Sequence, residues 1–392
     1  MIPKGWQELH LTECLIGSSI RNKDNRLSSD HLRSVNKTEG MIPMKEQAKG
    51  NSVNKAKVVK RDWFAYNPMR LNIGSICRWG REEDCIVSPD YVVFRCNKKV
   101  LLTDYFDQYR TSHAWKSYMD NAGHGGVRIR IYLKDLYPLR IKLPPLSEQR
   151  KITEILLTWD KAISIAGKRL EKTTHLKRGL MQKLLAGELR FPGFKGSWRK
   201  VNLGDVSALT AGGTPSTRKH EYWNGDIPWM SSGEIHQKKI HSVKGRITES
   251  GLKNSSAKIV PKESVLIALA GQGKTRGTVA LSKIELCTNQ SVAAAMIDEN
   301  HVLPEYLYCN LDNRYLELRS ISAGDGGRGG LNLSILRSIQ FFLPSLDEQK
   351  AISSMSLAMD SEINTLEKKL GYLKKEKEAL IQQLLSGKKR VA

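Results

Sequence analysis

Leu143-Pro144-Pro145-Leu146-Ser147-Glu148-Gln149 opens a stretch that closes on Leu180-Met181-Gln182-Lys183-Leu184-Leu185-Ala186-Gly187, and the chain contains that stretch twice. The second copy stands 200 positions on, from Leu343-Pro344-Ser345-Leu346-Asp347-Glu348-Gln349 to Leu380-Ile381-Gln382-Gln383-Leu384-Leu385-Ser386-Gly387. Between these ends no gap is needed: Ile152/Ile352, Asp160/Asp360, Ile163/Ile363, Leu170/Leu370, Lys177/Lys377 and Leu180/Leu380 coincide. An internal repeat decides the architecture before any local reading does. This one predicts two half-molecules.

Each copy reads as one long helix. Pro144 and Pro344 hold the preceding chain extended. Ser147 and Asp347 are the expected caps of the first turn, and Glu148 and Glu348 suit its positive end. Gly187 and Gly387 suit a left-handed residue that ends it. The second copy repeats apolar residues at Ile352, Met355, Met359, Ile363, Leu366, Leu370, Leu373, Leu380 and Leu384, with Lys377 at one seam position. That alternation of threes and fours is a coiled-coil pattern. The first copy keeps Ile152, Ile155, Trp159, Ile163, Leu170, Leu180 and Leu184, but carries Thr173 in the seam and Gly167 and Gly179 inside the helix. Each glycine costs about 1 kcal/mol relative to alanine. Such a helix is poor alone, so its repeated partner is the natural thing to pack on. A helix of about 40 residues at 1.5 Å each is a rod of roughly 60 Å.

The 392 residues allow two or three domains, and the net charge of +23 with a pI near 9.7 calls for an anionic partner. No run of about 18 apolar residues marks a membrane span. Met1-Ile2-Pro3-Lys4-Gly5-Trp6 lacks the apolar core of a secretory signal. Six cysteines show no metal-ligand spacing, so free thiols in a reducing cytoplasm and no structural metal are expected.

Trp6-Gln7-Glu8-Leu9 opens the first half and Trp198-Arg199-Lys200-Val201 the second. Residues 20 to 61 are polar, lysine-rich and aperiodic, which reads as a long basic loop. Tyr91-Val92-Val93-Phe94 is strand-like, and Asp104-Tyr105-Phe106 starts a helix expected to run to Met119, matched by Glu305-Tyr306-Leu307. Ala122-Gly123-His124-Gly125-Gly126 and Ala323-Gly324-Asp325-Gly326-Gly327 then correspond, each followed by an arginine, Arg128 and Arg328. Paired glycine runs suggest positioned loops that approach a bound surface closely. The fold class is therefore α/β (α+β): two mixed α/β globules separated by two long helices. Short connections predict antiparallel packing of the helices as a coiled coil, with a pseudo-twofold repeat. The boundaries read 1–146 for the first globule, 147–188 for its helix, 189–346 for the second globule, and 347–392 for the second helix and a basic tail.

Signs of catalysis are thin. Ala268-Leu269-Ala270-Gly271-Gln272-Gly273-Lys274-Thr275 follows a strand-like Ser264-Val265-Leu266-Ile267 and loosely fits a phosphate loop. A phosphate loop opens a helix. Here Arg276-Gly277-Thr278-Val279-Ala280-Leu281 reads as turn and strand, so a basic turn aimed at DNA phosphates is the better reading. The chain has no Asp/Asn-Pro-Pro-aromatic methyltransferase motif, no H-E-x-x-H and no G-x-S-x-G. No catalytic or metal-binding residue is assigned.

At this point the residues resemble the specificity subunits of type I restriction–modification systems. The two Leu-Pro-x-Leu-(Ser/Asp)-Glu-Gln signatures, each ending in Leu-Leu-(Ala/Ser)-Gly, look like that family's helix boundaries. Gly212-Gly213-Thr214-Pro215-Ser216, Tyr222-Trp223-Asn224-Gly225-Asp226-Ile227-Pro228-Trp229, Ser231-Ser232-Gly233-Glu234-Ile235 and Cys287-Thr288-Asn289-Gln290-Ser291 look like the opening and a later turn of its target-recognition domain. The first half lacks these segments, and residues 20 to 61 match no counterpart. The resemblance implies a non-catalytic, cytoplasmic subunit whose two target-recognition domains each read half of a bipartite double-stranded DNA site. It implies two methylation subunits and restriction/translocase subunits as partners, which bring S-adenosylmethionine, ATP and magnesium. The residues expected at DNA are Arg70, Asn72, Arg128, Arg130, Thr214, Ser216, Lys274, Arg276, Asn289, Gln290 and Arg328. Those expected on the partner-binding helices are Ile152, Ile163, Leu170, Leu180, Leu184, Ile352, Ile363, Leu370, Leu380 and Leu384. A free-standing DNA-binding regulator and an ATPase using Lys274 are the rival readings.

Overall fold

The computed structural model describes residues 2–45, 53–122, 129–271, 273–321 and 331–391. Both signatures launch a single long helix, Leu146–Ala186 and Leu346–Leu385, and Gly187 and Gly387 end them at φ +73° and +71°. The first turn is satisfied differently from the expected caps. Ser345 Oγ accepts from the Glu348 amide, and the Gln149 and Gln349 amides reach back to the carbonyls of Pro145 and Ser345.

The chain divides into two compact units, and the division differs from the four consecutive segments expected. Unit 1 comprises Met1–Gly167 with Lys368–Ala392, and unit 2 comprises Lys168–Glu367. Each unit thus holds the first part of one long helix and the last part of the other. In unit 1 Asp160 pairs with Lys377 at 2.6 Å while Glu148, further back, pairs with Arg390 further on, so the two helix segments run antiparallel. In unit 2 Lys177 pairs with Asp360 and Arg190 with Glu348, the same arrangement. Lys377, the odd seam residue of the sequence, finds a carboxylate there. A polar seam residue that needs one partner is a register device.

In unit 1 the strands are β1 (Gln7–His10), β2 (Leu15–Ser18), β3 (Leu32–Asn36), β4 (Gly40–Pro43), β5 (Lys57–Val59), β6 (Phe64–Tyr66), β7 (Ile76–Arg78), β8 (Cys85–Val87), β9 (Val92–Cys96) and β10 (Arg140–Leu143). They form an antiparallel sheet β2-β9-β6-β7, a sheet β4-β3-β8-β5 in which β3 and β8 are parallel, and a pair β1-β10. The described residues between 20 and 61 are therefore not a basic loop. They contribute three strands, and Leu27, Leu32, Ala56, Val58 and Ile86 bury a small core of their own. Strands of three to five residues spaced by polar turns leave no periodic window to read. Behind the first sheet, Phe64 stacks on Phe94 at 5.2 Å and Phe106 meets Trp115 edge-on at 5.5 Å. The single helix expected from Asp104 to Met119 is two, Thr103–Tyr109 and His113–Asn121, because Ser112 breaks the run and caps the second.

Unit 2 has β11 (Arg199–Asn202), β12 (Ser207–Ala211), β13 (Trp223–Met230), β14 (Lys239–Ile240), β15 (Gly245–Ile247), β16 (Ile259–Val260), β17 (Val265–Ala268), β18 (Val279–Ser282), β19 (Leu286–Thr288), β20 (Val292–Ile297) and β21 (Gln340–Leu343). The orders are β12-β20-β17-β18-β14, β15-β13-β19-β16 and β11-β21, with β13 and β19 parallel. Apart from the added β14 this is the topology of unit 1, strand for strand. Its central sheet is covered on both faces. Val265, Ile267, Val279 and Leu281 pack with Tyr306, Leu307 and Leu311, whereas Leu266, Ala268, Ala280 and Val292 pack with Met230, Ile235 and Val260. Successive strand residues point to opposite faces, so a run buried on both must be continuously apolar.

The Glu-Gln pair of each signature explains how the helices are fastened. Glu148 accepts both Nε and an Nη of Arg390 (2.7 and 2.8 Å) and the Trp6 indole N–H (3.2 Å). Glu348 does the same with Arg190 (2.8 and 2.7 Å) and Trp198 (2.9 Å). Burial pushes both carboxyls up, but the arginine and indole hydrogen bonds outweigh it and hold them below the usual glutamate range. Gln149 accepts from Leu102 N and donates to Val100 and Pro144 carbonyls; Gln349 repeats this with Leu303, His301 and Pro344.

Of the helix positions assigned to partner contact, Ile152 and Leu384 lie in the unit 1 core and Leu184 and Ile352 in that of unit 2. Ile163, Leu170, Leu180, Ile363, Leu370 and Leu380 are half-buried. Their packing is at least partly internal, as seam residues require. The exposed apolar side chains on these helices are Leu157, Ile165, Leu176 and Tyr372, among others. Among the described residues no helix is long and apolar enough to cross a membrane. The six cysteines are free thiols, and burial pushes Cys14, Cys85 and Cys96 up to about 12.

Candidate nucleic-acid interface

In unit 2 three loops leave one end of the central sheet. Ala211, the last residue of β12, pairs with Ala293, and Ala268, the last of β17, pairs with Val292. The loop after β12, the β17–β18 loop and the turn entering β20 are therefore neighbours. Hydrogen bonds join them: Gly212 N to Val292 O (3.2 Å), Gly213 N to Thr288 O (2.8 Å) and Leu269 N to Ser291 O (2.8 Å). A Cβ on Gly212 would overlap the Thr288 carbonyl, and one on Gly213 the Ser256–Ala257 backbone. The two glycines are there because no side chain fits. Trp229 Nε1 donates to Gly213 O and Trp223 Nε1 to Ser216 O, so the aromatic residues of β13 brace the same loop.

This arrangement brings together six of the expected residues. The Thr214 hydroxyl bonds the Gln290 amide oxygen at 2.5 Å. Asn289 receives its place from the Met230 carbonyl and uses its own side chain to hold Ser291 N. Ser216, Lys274 and Gln290 are exposed; Thr214, Arg276 and Asn289 are half-buried. Lys274 sits in the β17–β18 hairpin loop, with its carbonyl accepting from Tyr315 Oη (3.1 Å) and Thr278 Oγ1 (2.9 Å). Arg319 holds the neighbouring Gly273 carbonyl at 2.6 Å. The loop returns into β18 and opens no helix, so it lacks the amide-lined helix end on which a phosphate loop depends.

Unit 1 presents the same sheet end. Ser18 of β2 pairs with Val93 and Tyr66 of β6 with Val92, so the β6–β7 loop stands where the β17–β18 loop stands in unit 2. Arg70 and Asn72 are exposed on it, and Ile131 N bonds Pro68 O at 3.0 Å, which brings Arg130 alongside. Arg128, Arg328 and the glycine runs 123–126 and 324–327 lie outside the described residues. The equivalence of the Arg70 and Lys274 loops was hidden in the sequence, because the two loops share no residue pattern. Strand order reveals it.

Lys274→Ala is expected to weaken DNA binding and to lower the slope of log affinity against log salt by about one, since one phosphate contact releases about one counterion. Titration of a labelled duplex at several salt concentrations reads this. An unchanged slope would take Lys274 away from the phosphates.

The type I restriction modification DNA specificity domain model matches residues 75–175 and 195–373, more than half of the chain. The chain is 31% identical over 183 residues to the type I restriction enzyme MjaIX specificity subunit of Methanocaldococcus jannaschii, covering 45% of this chain and 41% of that one. It is 28% identical over 265 residues to the putative MjaX specificity subunit of the same organism, covering 64% and 60%. The chain thus spans less than two thirds of the length of these curated relatives. The solved S subunit of the type I restriction-modification system from M. genitalium shares the fold at a TM-score of 0.62 over 97% of this chain and 96% of that one, at 13% identity. Matched loops on a repeated scaffold and a matching family model lead to one conclusion: the chain belongs to the family of type I restriction–modification DNA specificity proteins.

Proposed function

We propose that this chain is a non-catalytic specificity subunit that reads a bipartite, asymmetric double-stranded DNA site, one half with each unit. One observation carries this reading. Two units of the same strand order carry polar and basic side chains on equivalent hairpin loops at the same sheet end, Arg70 and Asn72 in one and Lys274 and Arg276 in the other, with Arg130 beside the first loop and Thr214, Ser216, Asn289 and Gln290 on the loops beside the second. Arginine, asparagine and glutamine are the side chains suited to bidentate contact with base edges, and lysine to phosphates. The charge of +23 supplies the attraction. The long helices set the separation of the half-sites. Two methylation subunits dock on the exposed side of those helices, where Leu157, Ile165, Leu176 and Tyr372 stand. S-adenosylmethionine belongs to the methylation subunits, and ATP and magnesium to the restriction/translocase subunits of the cytoplasmic complex.

Methylation mapping tests the reading. Cells that express the chain with its methylation subunits are expected to carry modified adenines in one two-part motif, which disappears when the chain is omitted. Tight, specific DNA binding by the chain alone, with no methylation subunit co-purifying, would favour a free-standing regulator instead.

A further inference from the structure

The sheet-end segments of unit 1 differ from those of unit 2 in a property that charge does not describe. Ile20 beyond β2, Met69 and Ile73 on the β6–β7 loop, and Ile129 and Tyr132 on the chain beside it are all exposed, by 38% to 53%. These segments are neighbours. Ile131 N bonds Pro68 O at 3.0 Å, and a Cβ on Gly17 of β2 would stand 2.9 Å from Leu133 Cδ2. In unit 2 the described residues of the loop after β12, the β17–β18 loop and the turn into β20 expose no large apolar side chain. One exposed apolar residue is ordinary on a protein surface, whereas several gathered at one place mark a contact.

The β6–β7 loop holds its apolar side chains outward by construction. Asn67 Oδ1 accepts from Met69 N at 3.0 Å, and Ser75 N bonds Arg70 O at 3.0 Å. Gly74, at φ +90°, turns the chain back and donates to Leu71 O at 2.9 Å. Leu71, 1% exposed, plugs the loop into the unit 1 core, and Ser75 Oγ donates to Val35 O. With Leu71 turned in, Met69, Arg70, Asn72 and Ile73 are left outside. Two apolar side chains thus flank two that hydrogen-bond. The base edges in the major groove offer donors and acceptors, which arginine and asparagine match, and one apolar group, the 5-methyl of thymine. A phosphate gives methionine or isoleucine nothing to bind.

We propose that Met69 and Ile73 are specificity residues that read thymine through its 5-methyl group in the half-site of unit 1. This rests on the function proposed above and deepens it by naming a base. It also makes the two half-sites chemically unlike, since the loops of unit 2 offer polar contacts in the equivalent place.

The test uses the full chain with its methylation subunits and a labelled duplex carrying the site found by methylation mapping. The half belonging to unit 1 is the one that persists when residues 203 to 339 are exchanged for those of another family member. Each thymine of that half is replaced in turn by deoxyuridine, which removes one methyl group and leaves every hydrogen-bonding group in place. At one position or more, binding is expected to weaken roughly 4-fold, the effect of one buried methyl group. In Met69→Ala or Ile73→Ala, or in the double variant, that difference should vanish, because the side chain that senses the methyl is gone. Both side chains are exposed, so an unchanged melting temperature is expected. A half-site with no thymine, or one in which deoxyuridine is tolerated everywhere, would overturn the proposal. So would a methyl effect that persists in the double variant. Equal losses on thymine and deoxyuridine duplexes would make these side chains wedges between bases, and loss of a methylation subunit with DNA binding intact would make them a protein contact; either overturns it. If the wild-type complex prefers no duplex at all, the function proposed above falls as well, which separates the two failures.

Discussion

Replacing Glu348 with alanine is expected to destabilise unit 2 by about 3 kcal/mol, the lower end of the cost of removing one partner of a buried ion pair, because the carboxylate is buried while Arg190 is partly exposed. The Glu348 side chain is 2% exposed and accepts three hydrogen bonds, two from Arg190 and one from Trp198. Alanine leaves the indole N–H with no acceptor and the guanidinium with no counter-charge, and removes an anion from the positive end of a helix. Glu348→Gln keeps an acceptor for Trp198 and should cost less, about 1–2 kcal/mol. The pH dependence has a definite sign. The folded carboxyl titrates below the usual glutamate range, so its contribution is fully present above that range and is lost as pH falls through the folded value. The stability gap between wild type and Glu348→Ala should therefore be widest near neutrality and close as pH falls below about 4. Urea denaturation of both proteins at several pH values measures this. Equal midpoints at neutral pH would show that the clip contributes nothing.

What the sequence disclosed depended on the length of the pattern. The long helices carry their seam over some forty residues and occur twice, so their place, their terminal glycines and the Lys377 irregularity could all be read. The repeat could not say which part of each helix joins which globule, because similarity between copies holds no information about contact. Hence the consecutive boundaries missed that Ile381, Leu384 and Leu385 complete unit 1 while Met181, Leu184 and Leu185 complete unit 2. The strands of residues 20 to 61 were hidden for another reason. Val58 and Val59 stand among lysines, and β5 is three residues long, too short for alternation to show. On the sheet-end loops of unit 2, Gly212, Gly213 and the Asn289–Gln290 turn could be picked out through the family resemblance, and at the two glycines the packing leaves no room for a side chain. Arg70 and Asn72 acquire meaning only when β6 is matched to β17 by strand order. The coincidence of Arg190 with Arg390, and the recurrence of Trp6 as Trp198, were visible signals of the clips that local reading passed over.

The largest functional effect is expected from exchanging one recognition domain. The chain enters and leaves the body of unit 2 through one pair of strands, with Asn202 of β11 opposite Gln340 of β21. Leu203 N bonds Ile339 O at 2.8 Å just beyond that pair. Residues 203 to 339 can therefore be replaced by the matching segment of another family member while both long helices and the Trp198–Glu348–Arg190 clip stay in place. Every unit 2 loop at the sheet end is exchanged and none in unit 1 is touched. Each mismatched base pair typically costs about 1–3 kcal/mol, so several changed contacts should abolish recognition of the old half-site outright. The decisive measurement is the methylation motif of cells expressing this chimera with the methylation subunits. One half of the motif should change completely, while the other half and the gap between them stay as in the wild type. A chimera that alters both halves, or leaves both unchanged, would contradict the assignment of one half-site to each unit.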